Sequence, residues 1–173
     1  RPRIKLRFFA GYNFDEALLD APDGVTRAYA EGVTMGADLA ADGDRAPRFW
    51  VWTLADPMAA PLQRVQIIKG WAAGGEAHER IYDIAWSGDR QLDAAGELPP
   101  VGNTVDPKRG TYSNEIGAPE LEATWTDPDF DPTQKAFYYV RVLEIPTPRH
   151  SMFDFIALGV DAPEQRYPWW LQE

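Results

Sequence analysis

Short runs of period-two hydrophobicity, cut repeatedly by glycine and proline, constrain this chain more than any other feature. Ile4, Leu6 and Phe8 alternate with Arg3, Lys5 and Arg7, which puts every second side chain on one face of an extended backbone. Residues 49–55 are apolar at both parities, as in a central strand covered on two sides, and Asp56-Pro57 ends them. Between Leu62 and Trp71, Val65 and Ile67 oppose Arg64 and Gln66. Gly74-Gly75 then turns the chain and Ile81–Trp86 begins a matching strand, so the two read as a hairpin. Strands resume at Leu121–Thr126 and at Ala136–Ile145, the latter with Tyr138, Val140 and Val142 on one face and Arg141 on the other.

Helical spacing is scarce. Asp15–Leu19 offers one turn stopped by Pro22 and Gly24, Thr26–Glu31 offers a second before Gly32, and Met35–Leu39 reads as a further strand. Ser151 is placed to cap a short helix on which Met152, Phe155, Ile156 and Gly159 follow helical spacing. Over residues 87–119 no period holds and glycine and proline recur throughout. Loops this long are uncommon in compact domains, and those that occur are functional or packed by their own side chains.

About seven strands separated by turn signals, with almost no helix, define an all-β fold. The pattern predicts an immunoglobulin-like antiparallel β-sandwich with one long irregular loop (87–119) and a short C-terminal helix. Asp131, a few residues before Phe137-Tyr138-Tyr139, fits an acidic turn entering an aromatic strand at the far corner. A jelly roll fits less well, because the strand count is low. The whole of residues 1–173 is one domain of ordinary size, and aromatic side chains at 13%, spread along it, supply the bulk for a core.

Composition excludes several functions. The formal charge is −10, from 27 acidic and 17 basic residues, and such a field repels phosphate backbones and anionic membrane surfaces, so nucleic acid is not an expected partner. No stretch approaches the roughly 18 apolar residues of a membrane helix, so no insertion is expected. Cysteine is absent, which removes disulfides, thiolate nucleophiles and cysteine metal sites. The chain opens Arg-Pro-Arg, without Met or the apolar core of a signal peptide, and reads as a piece of something longer.

Asp127, Asp129 and Asp131 form the most ligand-like cluster, because alternate carboxylates in a loop can converge on a hard cation. The calcium-loop pattern fails, however: Pro132 stands at its turn glycine and Tyr138 at its bidentate glutamate. A turn whose Asp side chains bond nearby amides is the preferred reading. His78 falls at the hairpin turn beside Glu76 and Glu79, where exposure is the default. His150 would need a partner such as Asp154 to act as a base. Ser87-Gly88 and Ser113-Asn114 carry no nucleophile signature, and Gly74-Gly75 lacks the residues of a phosphate loop. No catalytic residue and no cofactor is assigned. Trp50 and Trp52 share one face of a strand and could stack a sugar, although core packing is preferred for both. Trp169 and Trp170 are the better candidates for an exposed ligand contact.

Several strings resemble one family. They include Arg3-Ile-Lys-Leu-Arg-Phe-Phe, Leu62-Gln-Arg-Val-Gln-Ile-Ile-Lys-Gly-Trp71 and Gly102-Asn-Thr-Val-Asp106. To these are added Met35-Gly-Ala-Asp-Leu, Thr111-Tyr-Ser-Asn-Glu-Ile-Gly117, Asp127-Pro-Asp-Phe-Asp-Pro132 and Phe137-Tyr-Tyr-Val-Arg-Val-Leu-Glu-Ile-Pro-Thr-Pro-Arg149. They are similar to domain-of-unknown-function family 3604 over almost the whole chain. The resemblance implies a much longer bacterial parent whose upstream region resembles PHP-type metal-dependent phosphoesterases. The family's histidine-rich metal motifs belong to that region and are not among these residues. His150 departs from the pattern, standing where an aromatic residue is expected, and the resemblance places a last strand beyond Glu173, leaving one sheet edge open. The implied role is a non-catalytic accessory or interaction domain that packs on the upstream domain and brings the 87–119 loop towards its active-site rim. A carbohydrate- or other ligand-binding sandwich is the alternative. The resemblance is compatible with an exported parent whose signal lies outside these residues.

Overall fold

The computed structural model describes residues 2–160 and 171–172. In chain order the elements are β1 (Lys5–Gly11), α1 (Ala17–Asp20), α2 (Gly24–Glu31), β2 (Gly32–Thr34), β3 (Arg48–Leu54), β4 (Leu62–Ala73), β5 (Glu76–Trp86), β6 (Glu120–Thr126), β7 (Ala136–Glu144), β8 (Thr147–Pro148), α3 (His150–Leu158) and β9 (Leu171–Gln172). A four-stranded sheet runs β2-β1-β3-β6, a three-stranded sheet runs β5-β4-β7, and β8 pairs with β9 in a short ribbon. Every pairing within the sheets is antiparallel.

The alternation read from the sequence decides what each face meets. In the first sheet Leu6, Phe8, Phe49, Val51, Leu121 and Trp125 turn inwards; from the second sheet Val65, Ile67, Tyr138, Val140 and Val142 meet them in one apolar cluster. The two layers thus close on each other as a sandwich. β3 is apolar at both parities because its other face is covered too. Phe9 and Trp50 are buried there under Phe14, Leu18 and Ala28, which come from the α1–α2 segment and the turn before it. Each large side chain so buried contributes about 1.5–3 kcal/mol relative to leaving it exposed.

Some local readings are corrected. Residues 35–39 form a turn, not a strand: Gly36 adopts φ +90° and Ala37 N–H bonds back to Thr34 O, while the strand is β2, just before. Gly24 opens α2 instead of stopping a turn. His78 lies within β5, because β4 and β5 run on to a two-residue turn at Gly74-Gly75. Ser151 falls inside α3, whose cap position is Arg149, since the extended Pro148-Arg149 backbone delivers the chain to the helix one residue earlier. The 87–119 segment is irregular as expected and is held by its own side chains. Arg90 donates to Ser87 O, Gln63 O and Pro99 O, and Trp86 Nε1 donates to Arg90 O. Isolated bridges join Asp106 to Thr111 and Leu62 to Ala118. No helix among the described residues is long and apolar enough to cross a membrane.

Candidate functional site

The inward parity of β4 does not stop at Ile67. Lys69 continues it, and its side chain is only 3% exposed. A lone ammonium there would be prohibitively desolvated, so the turn that follows β6 supplies its counter-charge. Asp127, the first residue after β6, places Oδ2 2.6 Å from Lys69 Nζ with its own side chain 0% exposed. Lys69 also donates to Asp129 O at 2.7 Å. Tyr138 O–H donates to Asp127 Oδ2 at 2.7 Å, and Asp129 N–H donates to Asp127 Oδ1 at 2.9 Å. The Lys69 charge further lies 5.6 Å from the Trp71 ring centroid and 5.9 Å from that of Tyr138.

Further bonds from β5 reach the same turn. Asp129 Oδ2 accepts from Tyr82 O–H at 2.7 Å and pairs with Arg80 at 2.8 Å. Burial first, and the bond to Asp127 second, push the Tyr138 hydroxyl far above its ordinary range; Tyr82 is raised the same way by burial and Asp129. Both phenols are therefore fixed as neutral donors. The arrangement is a clamp that ties the β6 end of one sheet to β4, β5 and β7 of the other.

Asp131 is drawn elsewhere, its Oδ1 accepting from Thr133 N–H at 2.9 Å and Thr133 O–H at 2.7 Å. These bonds lower the Asp131 carboxyl from its ordinary value. The three aspartates are thus near in sequence but each is engaged with a different group. Among the described residues no set of three or more metal-ligating side chains gathers in one place. His78 is exposed and stacks on Trp71 at 5.4 Å between ring centroids. His150 begins α3 in an exposed position, and no hydrogen bond joins it to Asp154 among the described residues.

Beside the clamp the sandwich is open. A cleft of about 960 Å³ lies between β1 and β7, with Phe8, Ala10, Phe49, Lys69 and Tyr138 at its floor and residues 33–41 and 130–137 as its walls. Sequence reasoning missed this site. Its signal was available, because Lys69 is a charge at the parity of Val65 and Ile67.

The five described tryptophans do not make an exposed row: Trp50 is buried and Trp52, Trp71, Trp86 and Trp125 are half-buried. Trp169 and Trp170 lie outside the described residues. The exposed aromatics among the described residues are Tyr29, Tyr112, Phe137 and Phe153; on β7 the Phe137 ring lies near-parallel to that of half-buried Tyr139, 6.4 Å away. Phe137 lies on Gly70, where a Cβ would come 2.2 Å from its ring.

Fold and site together define an antiparallel β-sandwich with a buried ion pair beside an open cleft of mixed polar and apolar lining. The chain belongs to the family described as protein of unknown function (DUF3604), whose model matches residues 1–173. No curated protein and no solved structure matches it.

Proposed function

We propose that the chain is a non-catalytic accessory module that packs against an upstream domain of PHP-like, metal-dependent hydrolase character. The observation that carries this reading is the apolar surface at the C-terminal end of the sandwich. There Phe153, Ile156, Leu158 and Val160 are all exposed on and just after α3. Phe153 and Ile156 lean on Gly110, so this surface is continuous with the 87–119 loop. Apolar side chains gathered in one exposed place mark interaction sites. The engagement of Lys69 and Asp127 in the clamp supports the same reading, because both side chains are buried and already paired with each other. The order β1-β3-β6 over β5-β4-β7 supports an immunoglobulin-like arrangement within the sandwich.

The test is to assay the full-length parent for bound metal and phosphoester hydrolysis, with and without this segment. The reading expects metal and turnover to stay with the upstream part, and the truncated parent to be less stable. Stoichiometric metal and hydrolysis in the isolated 173-residue chain would overturn it.

One observation favours a second reading, a glycan-binding module. The Phe137–Tyr139 pair presents two near-parallel rings beside Glu79, a geometry that can stack a sugar ring. Oligosaccharide titration should then show saturable binding that Phe137→Ala abolishes. Binding unchanged by that substitution removes this reading.

A further inference from the structure

We propose that Arg48 and Trp50 form a binding site for a carboxylate, on the outer face of β3 beside the α1–α2 cover. Both residues belong to that face, because Phe49 between them turns into the sandwich. Trp50 is only 4% exposed, and its indole Nε1 is buried without a hydrogen-bond partner. The Nε of Arg48 is buried and unpartnered too. Among the described residues the Arg48 guanidinium enters no ion pair, in a chain whose formal charge is −10. Buried donors are almost always satisfied, and a bare one costs more than a hydrogen bond contributes. Two orphan donors on one strand face, two residues apart, call for one acceptor that serves both.

Their neighbours narrow the chemistry of that acceptor. Across the ladders Arg48 lies opposite Gly11 and Thr126, and Trp50 lies opposite Phe9 and Thr124. On the β1 side Gly11 brings no side chain, and the Phe14 ring lies 3.0 Å from where its Cβ would stand. The β6 side brings two hydroxyls. Thr124 is half-buried and Thr126 is exposed, so the row reaches solvent at that end. The polar groups of the row are thus two donors and two hydroxyls that can donate. Asp127, the carboxylate that follows Thr126, is held by Lys69 and leaves Arg48 without a counter-charge from that turn. A guanidinium and an indole N–H accept nothing, so the ligand presents acceptors only. A carboxylate has two oxygens, one for each orphan, and supplies the charge that Arg48 lacks. A phosphate dianion offers oxygens as well, but the negative field of the chain opposes its second charge.

Proton–nitrogen NMR of the 173-residue chain reads the Trp50 indole N–H directly, its signal assigned by its loss in Trp50→Phe. Replacing chloride by acetate at constant ionic strength should shift this signal saturably and slow its exchange with solvent. Phosphate should shift it less. Arg48→Lys keeps the charge but loses the planar fork, and should weaken acetate binding about tenfold. Arg48→Met should abolish the shift, with the other indole signals reporting that the variant is folded. Acetyl-glutamate amide separates two sources of the same chemistry. Saturation by acetate alone assigns a free small acid, and saturation by both assigns the carboxylate of a docked chain. An indole signal indifferent to every anion leaves the two donors to water and overturns the proposal. The same linear drift with all anions overturns it too, as does saturation that survives in Arg48→Met or is undiminished in Arg48→Lys. None of these results touches the accessory-module reading, which is measured by metal content and turnover of the parent.

Discussion

Lys69 and Asp127 show how one residue pair can set the limits of a site. Removing one partner leaves the other charge buried and unpaired, so Asp127→Ala should cost about 3–5 kcal/mol in urea denaturation. Replacing both by apolar residues of similar size, Lys69→Met with Asp127→Leu, should cost far less, because no orphan charge remains. Equal losses in the single and double variants would contradict the clamp. Glu144 behaves oppositely. Burial raises its carboxyl above the ordinary glutamate range, and its Oε1 finds no partner. A raised folded-state value stabilises the fold below the unfolded value, and that contribution is lost as pH rises through the folded one. Glu144→Gln should therefore raise Tm at neutral pH, with the gain closing as pH falls below the ordinary glutamate range. A gain of equal size at both ends of that range would contradict the assignment. Of these residues only Asp127 was visible from sequence, as one of three carboxylates. What it binds depends on a lysine that is close only after the two sheets stack.

At the scale of elements, alternation made most strands legible, because a period-two run has one way to hide its apolar face. β3 showed its double covering in the sequence for the same reason. Two of the misread segments, residues 35–39 and the start of α3, are places where a single backbone angle or the entry of a turn decides the structure. β2 escaped notice because it has only three residues and owes its place to a close approach: a Cβ on Gly32 would fall 2.6 Å from Ala10 O and 2.4 Å from the Phe14 ring. Gly32→Ala should cost about 1–3 kcal/mol of stability by overpacking, read by thermal unfolding. The long loop was legible as irregular, but its internal fastening was not, since Arg90 reaches carbonyls on both sides of it and on β4. Arg90→Ala should speed amide exchange across residues 87–99 while the exchange of β3 and β4 stays slow. Uniform loosening of the sheets would contradict a local role for Arg90.

Over the whole molecule, two of the charged groups that looked most like chemistry, Asp127 and Asp129, are engaged in joining two sheets, and the exposed α3 surface is apolar. The sequence shows a surplus of acid but not this division, because burial and pairing are properties of the assembled sandwich. Binding without turnover is what the proposed accessory role expects. The most direct measurement is calorimetric titration of the purified chain with calcium, manganese and zinc, since any phosphoesterase of the expected class works through a metal. The account expects no saturable heat from any of the three. A one-to-one site that Asp127→Asn or Asp129→Asn abolishes, in a variant that still folds, would contradict it.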